Sequence, residues 1–214
     1  MDQEVEIISA ETRKERIKNL IINNRRTIIF IFVFLILVLF SFLIYQEYLK
    51  SNKEHLANKY NLSIIEFENG NRSKILNSMN EIIEDRDKTY SPLAFYYLLD
   101  NDLITSKEEI NRYFEILINE IGLDNENKNL TIFKKGLYNS ESASENELLE
   151  ILNPLIKSES IWKPHALYLM AEYYFAKNEK KKSKEFFDKL VSLENINDKI
   201  KLEAQKRLRT DLSE

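Results

Sequence analysis

The stretch "NNRRTIIFIFVFLILVLFSFLIYQEYLK", Asn23 to Lys50, decides how the rest of the chain is read. Ile28 to Tyr45 is 18 residues without a charge. As a helix it is roughly 27 Å long, about the thickness of one bilayer hydrocarbon core. A core helix of a soluble domain keeps a polar face, and this run has none. A cleaved export signal has a shorter apolar region and a small-x-small cleavage site. Here the run ends in Ser-Phe-Leu-Ile-Tyr followed by Gln-Glu-Tyr-Leu-Lys. The expectation is an uncleaved membrane helix over 27–46, with Tyr45 and Tyr48 at one interface.

Orientation is read from the basic residues on each side. Arg13, Lys14, Arg16, Lys18, Arg25 and Arg26 precede the run, and Lys50, Lys53 and Lys59 follow it. Six against three favours a cytoplasmic tail over 1–26 and an outward, periplasmic domain over 47–214. Within the tail, "SAETRKERIKNLII" places Ile17, Leu20 and Ile21 at i, i+3, i+4. That spacing fits either a short basic amphipathic helix on the inner leaflet or a topology signal with no further role.

Three Gly and three Pro in 214 residues predict an almost wholly helical domain. The absence of Cys excludes disulfides, thiolate metal sites and thiol nucleophiles. A net charge of −4 does not favour nucleic acid as a partner. His55 and His165 stand far apart, with no metal-ligand spacing around them. There is no glycine-rich phosphate loop and no serine elbow. No catalytic, metal or cofactor-binding residue is assigned, and the expectation is not an enzyme.

Breakers at Glu68–Asn71, Ser91-Pro92, Gly122–Asn129, Asn139–Ser144, Asn153-Pro154, Lys163-Pro164 and Lys177-Asn178 cut the domain into short helices. The stretch "PHALYLMAEYYFAKNEKKKSKEFFDKLVSL" matches a tetratricopeptide repeat, with Ala171, Tyr174, Ser183, Phe187 and Leu190 at its marker positions. Carried backwards, the frame places Ser63, Leu98, Gly136 and Ala171 at position 8, where paired helices approach most closely. Position 20 reads Ile75, Ile110, Leu148, Ser183. Position 24 reads Met79, Phe114, Leu152, Phe187, and position 27 reads Ile82, Leu117, Leu155, Leu190. The predicted repeats are 56–89, 91–122, 129–158 and 163–196, with an insertion near Asn125–Asn129 and a capping helix over 197–212. Leu98 departs from the small-residue rule. The segment Gln46–Phe67 is expected to run on from the membrane helix without a break. The expected fold is all-α: one membrane helix, then a right-handed solenoid of helix-turn-helix repeats.

In such repeats, positions 5 and 9 face the concave side. They read Tyr60, Phe95, Phe133, Tyr168 and Ile64, Leu99, Leu137, Glu172. An aromatic column there suits either an extended apolar partner segment or packing between neighbouring first helices. Trp162 is read as an apolar clamp at a helix start.

The tail "ETRKERIKNLIINNRR", the single anchor and the closing "PHALYLMAEYYFAKNEKKKSKEFFDKLVSLENINDKIKLEAQKRL" resemble the bacterial YfgM-like family. That resemblance implies an inner-membrane protein with a periplasmic tetratricopeptide-like domain, ancillary to the SecYEG translocon. Its implied partners are translocon subunits, periplasmic chaperones and unfolded exported clients, with no cofactor. Leu98, and the lack of alanine- and glycine-rich repeats, depart from the family pattern. Two other readings remain open: a repeat adaptor for cell division or outer-membrane biogenesis, and a structural membrane stalk.

Overall fold

The computed structural model describes Lys18 and residues 22–194 and 196–213. The amphipathic tail helix expected over Ser9–Ile21 falls, apart from Lys18, outside the described residues. Every regular element among the described residues is a helix. They are α1 (Arg25–Glu68), α2 (Arg72–Glu84), α3 (Tyr90–Asp100), α4 (Lys107–Asn119), α5 (Asn125–Asn139), α6 (Glu145–Ile156), α7 (Lys163–Ala176), α8 (Lys180–Val191) and α9 (Asp198–Thr210). The chain divides into two compact units between Ala57 and Asn58, inside α1.

The first unit holds the apolar part of α1. Its most apolar 18-residue window has a mean hydropathy of 3.3, and none of that window is buried by protein. Phe30, Phe34, Leu37 and Phe40 are all more than half exposed. It is long and apolar enough to cross a membrane. The expected continuation past Gln46 is present, since α1 runs unbroken to Glu68 over 44 residues.

The second unit is built from the end of α1 and from α2–α9. Each helix from α2 onward packs on the next, and α7 also touches α5 and α9. The positions that the repeat frame aligns at 20, 24 and 27 form its core. All twelve side chains, from Ile75, Met79 and Ile82 to Ser183, Phe187 and Leu190, are at most 2% exposed. Ser183 keeps its polar atom satisfied by donating to the Ala171 carbonyl at 2.9 Å. Ser91 does the same to Ile82 at 2.8 Å and ties the start of α3 to α2.

Position 8 sets how closely a pair can meet. A Cβ placed on Gly136 would lie 2.5 Å from Leu152 Cδ2 and 3.0 Å from its Cγ. The two helices therefore touch where α5 has no side chain. With Ala171 at this position, α7 and α8 make the most extensive helix contact in the domain. Leu98, fully buried, stands where the small residue is missing, and α3 meets α4 far less extensively than it meets α2.

Caps and turns account for the boundaries. Ser106, Asp124 and Ser144 each accept from a backbone N–H in the first turn of α4, α5 and α6, and Ser144 with Glu147 forms a full capping box. Because Asp124 caps it, α5 begins at Asn125, and the expected insertion over Asn125–Asn129 is helical. Asn153-Pro154 was expected to break a helix but lies inside the last turn of α6. Pro154 removes one intrahelical bond, but only two helical residues lie beyond it, and Leu152 and Leu155 anchor the turn on either side. Gly122 (φ +67°) and Asn178 (φ +60°) take the left-handed conformation that ends a helix. Arg86 and Asp102 do so too, and mark turns with no glycine signal in the sequence. The Arg86 side chain pairs with Glu120 at 2.6 Å.

Ion pairs join α2 to α4 and α6 to α8. Arg112 of α4 meets Glu84 of α2 at 2.5 Å. Lys182 of α8 donates to both oxygens of Glu145 at 2.9 Å and lies 2.8 Å from Glu179. The two carboxylates hold the lysine well above its ordinary range. The hydrogen bonds from Lys182 and from the Tyr174 hydroxyl hold the Glu145 carboxyl below its ordinary range. Burial pushes the Tyr174 phenol up to about 12, and its bond to Glu145 adds to the rise.

Two predictions follow from these contacts. Gly136→Ala should lower stability by about 1–2 kcal/mol although alanine is the better helix former. Leu152→Ala alone should cost about 3 kcal/mol, and the double variant less than the sum by at least about 0.5 kcal/mol. Thermal unfolding of the full chain in detergent, followed by circular dichroism, reads this coupling. Glu145 has a depressed folded-state value, so its contribution is complete above the unfolded value of about 4.3 and is lost as pH falls through the folded one. Glu145→Gln should therefore lower the Tm at pH 7, and the loss should shrink as pH is taken below about 4.

Candidate functional site

A face formed by α5, α7 and α9 carries the half-exposed rings of Phe133, Trp162 and Tyr168. It starts in the loop before α7. Ser160 is buried, donates to Glu126 at 3.0 Å and accepts from the Trp162 backbone N–H at 3.1 Å. That pins the loop to the start of α5 and turns the indole inward. The Trp162 ring stacks on Phe133, with centroids 5.6 Å apart and an interplanar angle of 22°. His165, one turn on, lies edge-on to Phe133 at 5.7 Å and tilted to Trp162 at 5.2 Å. Its Nδ1 is buried without a hydrogen-bond partner. Pro164, within the first turn of α7, needs no N–H there and fixes the direction in which the helix leaves the loop.

The other wall is α9. Arg207 donates from Nε and Nη2 to the two oxygens of Glu172, at 2.7 and 2.6 Å. It also pairs with Asp211, and its guanidinium lies 4.3 Å over the Phe175 ring. Glu172 first, then Asp211, holds Arg207 above its already high range. Ala204 is fully buried at the same end. Towards the start of α9 the packing opens into two adjoining hollows of about 440 and 380 Å³, both lined by His165, Asn197 and Ile200. Trp162 and Ile161 border the first hollow and Tyr168 the second. Ile161 is 69% exposed at the rim.

The predicted concave-face residues divide. Phe133 and Tyr168 belong to this face, half-buried, but each has its own neighbour, Trp162 and Phe187 respectively. Tyr60 is half-buried against Tyr90 and Tyr97, each at 6.2 Å. Ile64 and Leu99 are half-buried and Leu137 is exposed. Phe95 is fully buried against Tyr113 and Phe114 and offers no surface to a partner. Glu172 is committed to Arg207 and serves the cap. The expected continuous ladder is therefore broken at Phe95, and no two of its four rings are paired. Between α3 and α5 the contact is instead Lys134 Nζ, 3.6 Å from the Tyr96 ring centroid.

Trp162, His165 and Ile200 were not predicted as site residues. Their signal was present: Trp162, His165 and Tyr168 recur at three-residue steps, which puts them on one stripe of a helix. Among the described residues no group of three or more His, Asp or Glu is placed to hold a metal ion. No family model, no curated protein and no solved structure matches this chain.

Phe95→Ala should cost about 3–5 kcal/mol, the range for emptying a buried aromatic site. Phe133→Ala should cost less, and it should shift the fluorescence of Trp162, the only tryptophan in the chain. Emission spectra beside thermal melts separate the two outcomes.

Proposed function

We propose that this chain is a membrane-anchored helical-repeat scaffold rather than an enzyme. In this reading α1 spans the inner membrane once, the N-terminal tail is cytoplasmic, and the helical domain is a right-handed tetratricopeptide-like solenoid in the periplasm. One observation carries the reading. The 18-residue apolar window is wholly uncovered by protein, so lipid is the cover that its surface calls for. The excess of basic residues before the run favours the inward tail. The buried columns at positions 20, 24 and 27, and the close approach at Gly136, favour the repeat frame.

The resemblance to the YfgM-like family gives the scaffold its place. It works beside the Sec translocon with periplasmic chaperones, and holds segments of newly exported proteins. The face of Phe133, Trp162, His165 and Tyr168 is the surface assigned to such a segment: aromatic, half-open and rimmed by exposed Ile161. An adaptor role in cell division or outer-membrane biogenesis would use the same anchor and the same kind of surface.

The cysteine-free chain allows a direct topology test. In a Gram-negative expression host, a membrane-impermeant maleimide should label Glu141→Cys in spheroplasts and Ser9→Cys only after lysis. The reverse pattern overturns the orientation and the export role with it. A photo-crosslinker in place of Ile161 should capture translocon subunits, chaperones or exported chains. Capture of division or outer-membrane assembly proteins instead would replace that role with the adaptor one.

A further inference from the structure

A separate cleft runs between α4 and α6, with α5 as its floor and a volume of about 470 Å³. Lys107, Asn111, Glu115 and Ile118 form a stripe along the whole of α4, and Glu147, Glu150, Ile151 and Pro154 form the facing stripe on α6. A volume of that order suits a few side chains or a small ligand.

The donors in this cleft are already directed at protein partners. Asn139, 4% exposed at the floor, gives its amide hydrogens to Asn111 Oδ1 at 2.8 Å and to the Lys135 carbonyl at 2.9 Å. Asn111 gives its own to Asn139 Oδ1 at 3.2 Å and to the Lys107 carbonyl at 3.0 Å. Lys107 Nζ donates to Ser142 at 2.8 Å, and Lys135 pairs with Glu115. Acceptors are left over. Each asparagine oxygen accepts one bond of the two it can take. Pro154 has no amide hydrogen, so the Glu150 carbonyl lacks its donor in the helix. The Glu150 carboxylate is exposed, with no ion pair or hydrogen bond among the described residues. Ile118, Ile132 and Ile151 supply an apolar wall beside these oxygens.

We infer that this cleft receives an arginine side chain from an exposed segment of a partner protein. A guanidinium brings five donors and no acceptor, in a planar fork that is weakly hydrated, and its stem packs on apolar surface. Lysine presents a more strongly hydrated point charge and fits less well. The surrounding charge favours the same partner. Residues 58–176 carry 12 Lys and Arg against 20 Asp and Glu, a net of −8, which draws a basic segment towards this part of the domain. The site is independent of the Phe133–Trp162 face and of the translocon role.

The probe is a fluorescein-labelled peptide, Gly-Ser-Leu-Arg-Leu-Ser-Gly, followed by anisotropy with the full chain in phosphatidylcholine nanodiscs and empty nanodiscs subtracted. Replacing its arginine by citrulline, which has the same shape and no charge, should weaken binding by about tenfold or more, and lysine by a smaller factor. Glu150→Gln should weaken it about fivefold without moving the Tm. Pro154→Ala returns a donor to the Glu150 carbonyl, and should weaken binding about twofold to fivefold while raising the Tm. Loss of affinity with a gain in stability is an outcome that a purely structural role for Pro154 does not produce. Equal binding of the arginine and citrulline peptides overturns the inference. So does unchanged binding by Glu150→Gln, or no binding up to millimolar peptide. Tight binding of spermidine without binding of the peptide would make the cleft a polyamine site and overturn it equally.

Discussion

A two-helix repeat leaves one apolar face open, and that face must be covered by the next repeat or by a cap. In this domain the open faces are covered along three columns of side chains from α2, α4, α6 and α8, with α9 closing the last one. Ala204 and Leu212 are buried against the cluster that contains Phe187 and Leu190. Arg207 locks the closure with a two-pronged bond to Glu172 and a ring contact to Phe175. A lysine at that position would keep the charge but lose the fork, so the cap depends on guanidinium geometry as well as on sign. Position 8 bears on how closely a pair can meet: α3, with Leu98 there, meets its partner less extensively than α5 with Gly136 or α7 with Ala171.

Much of this was legible before any coordinates, because it depends on side-chain volume and periodicity. The columns at positions 20, 24 and 27 were readable as i, i+4, i+7 spacings, and they are buried to the last residue. The run of α1 past the apolar stretch was readable because nothing between Gln46 and Phe67 disfavours a helix. What failed were inferences from a single residue type. Pro154 reads as a helix break, yet only two residues of α6 lie beyond it and buried Leu152 and Leu155 hold the turn. The turns at Arg86 and Asp102 carry no glycine, so the residue types that usually signal a left-handed turn are missing there.

The candidate site was less legible than the fold. A repeat frame assigns faces by position number, but whether a face is open depends on how far apart neighbouring helices stand. Phe95 and Phe133 share position 5. Phe95 meets Tyr113 and Phe114 of the adjoining helix and disappears into the core. Phe133 meets a loop that brings in Trp162 and keeps part of its surface. Glu172 falls at position 9 of the repeat frame, which assigned it to the groove. Its partner, Arg207, lies 35 residues away, beyond any local pattern.

The cleft between α4 and α6 and the face between α7 and α9 share one weakness: each is built for a few side chains, so each alone would hold a partner loosely. The proposed anchor in the membrane would change what such sites can do. A partner confined to the same bilayer, or emerging through it, meets the domain at a local concentration set by the tether rather than by the bulk compartment. Under those conditions a site that recognises one arginine and another that recognises an aromatic or apolar segment reinforce each other when a single chain reaches both. Millimolar affinity at each would suffice for capture and still allow release. In the proposed scaffold role a segment must be handed on and not held, and weak sites on a fixed anchor would meet both demands where one deep pocket would meet only the first.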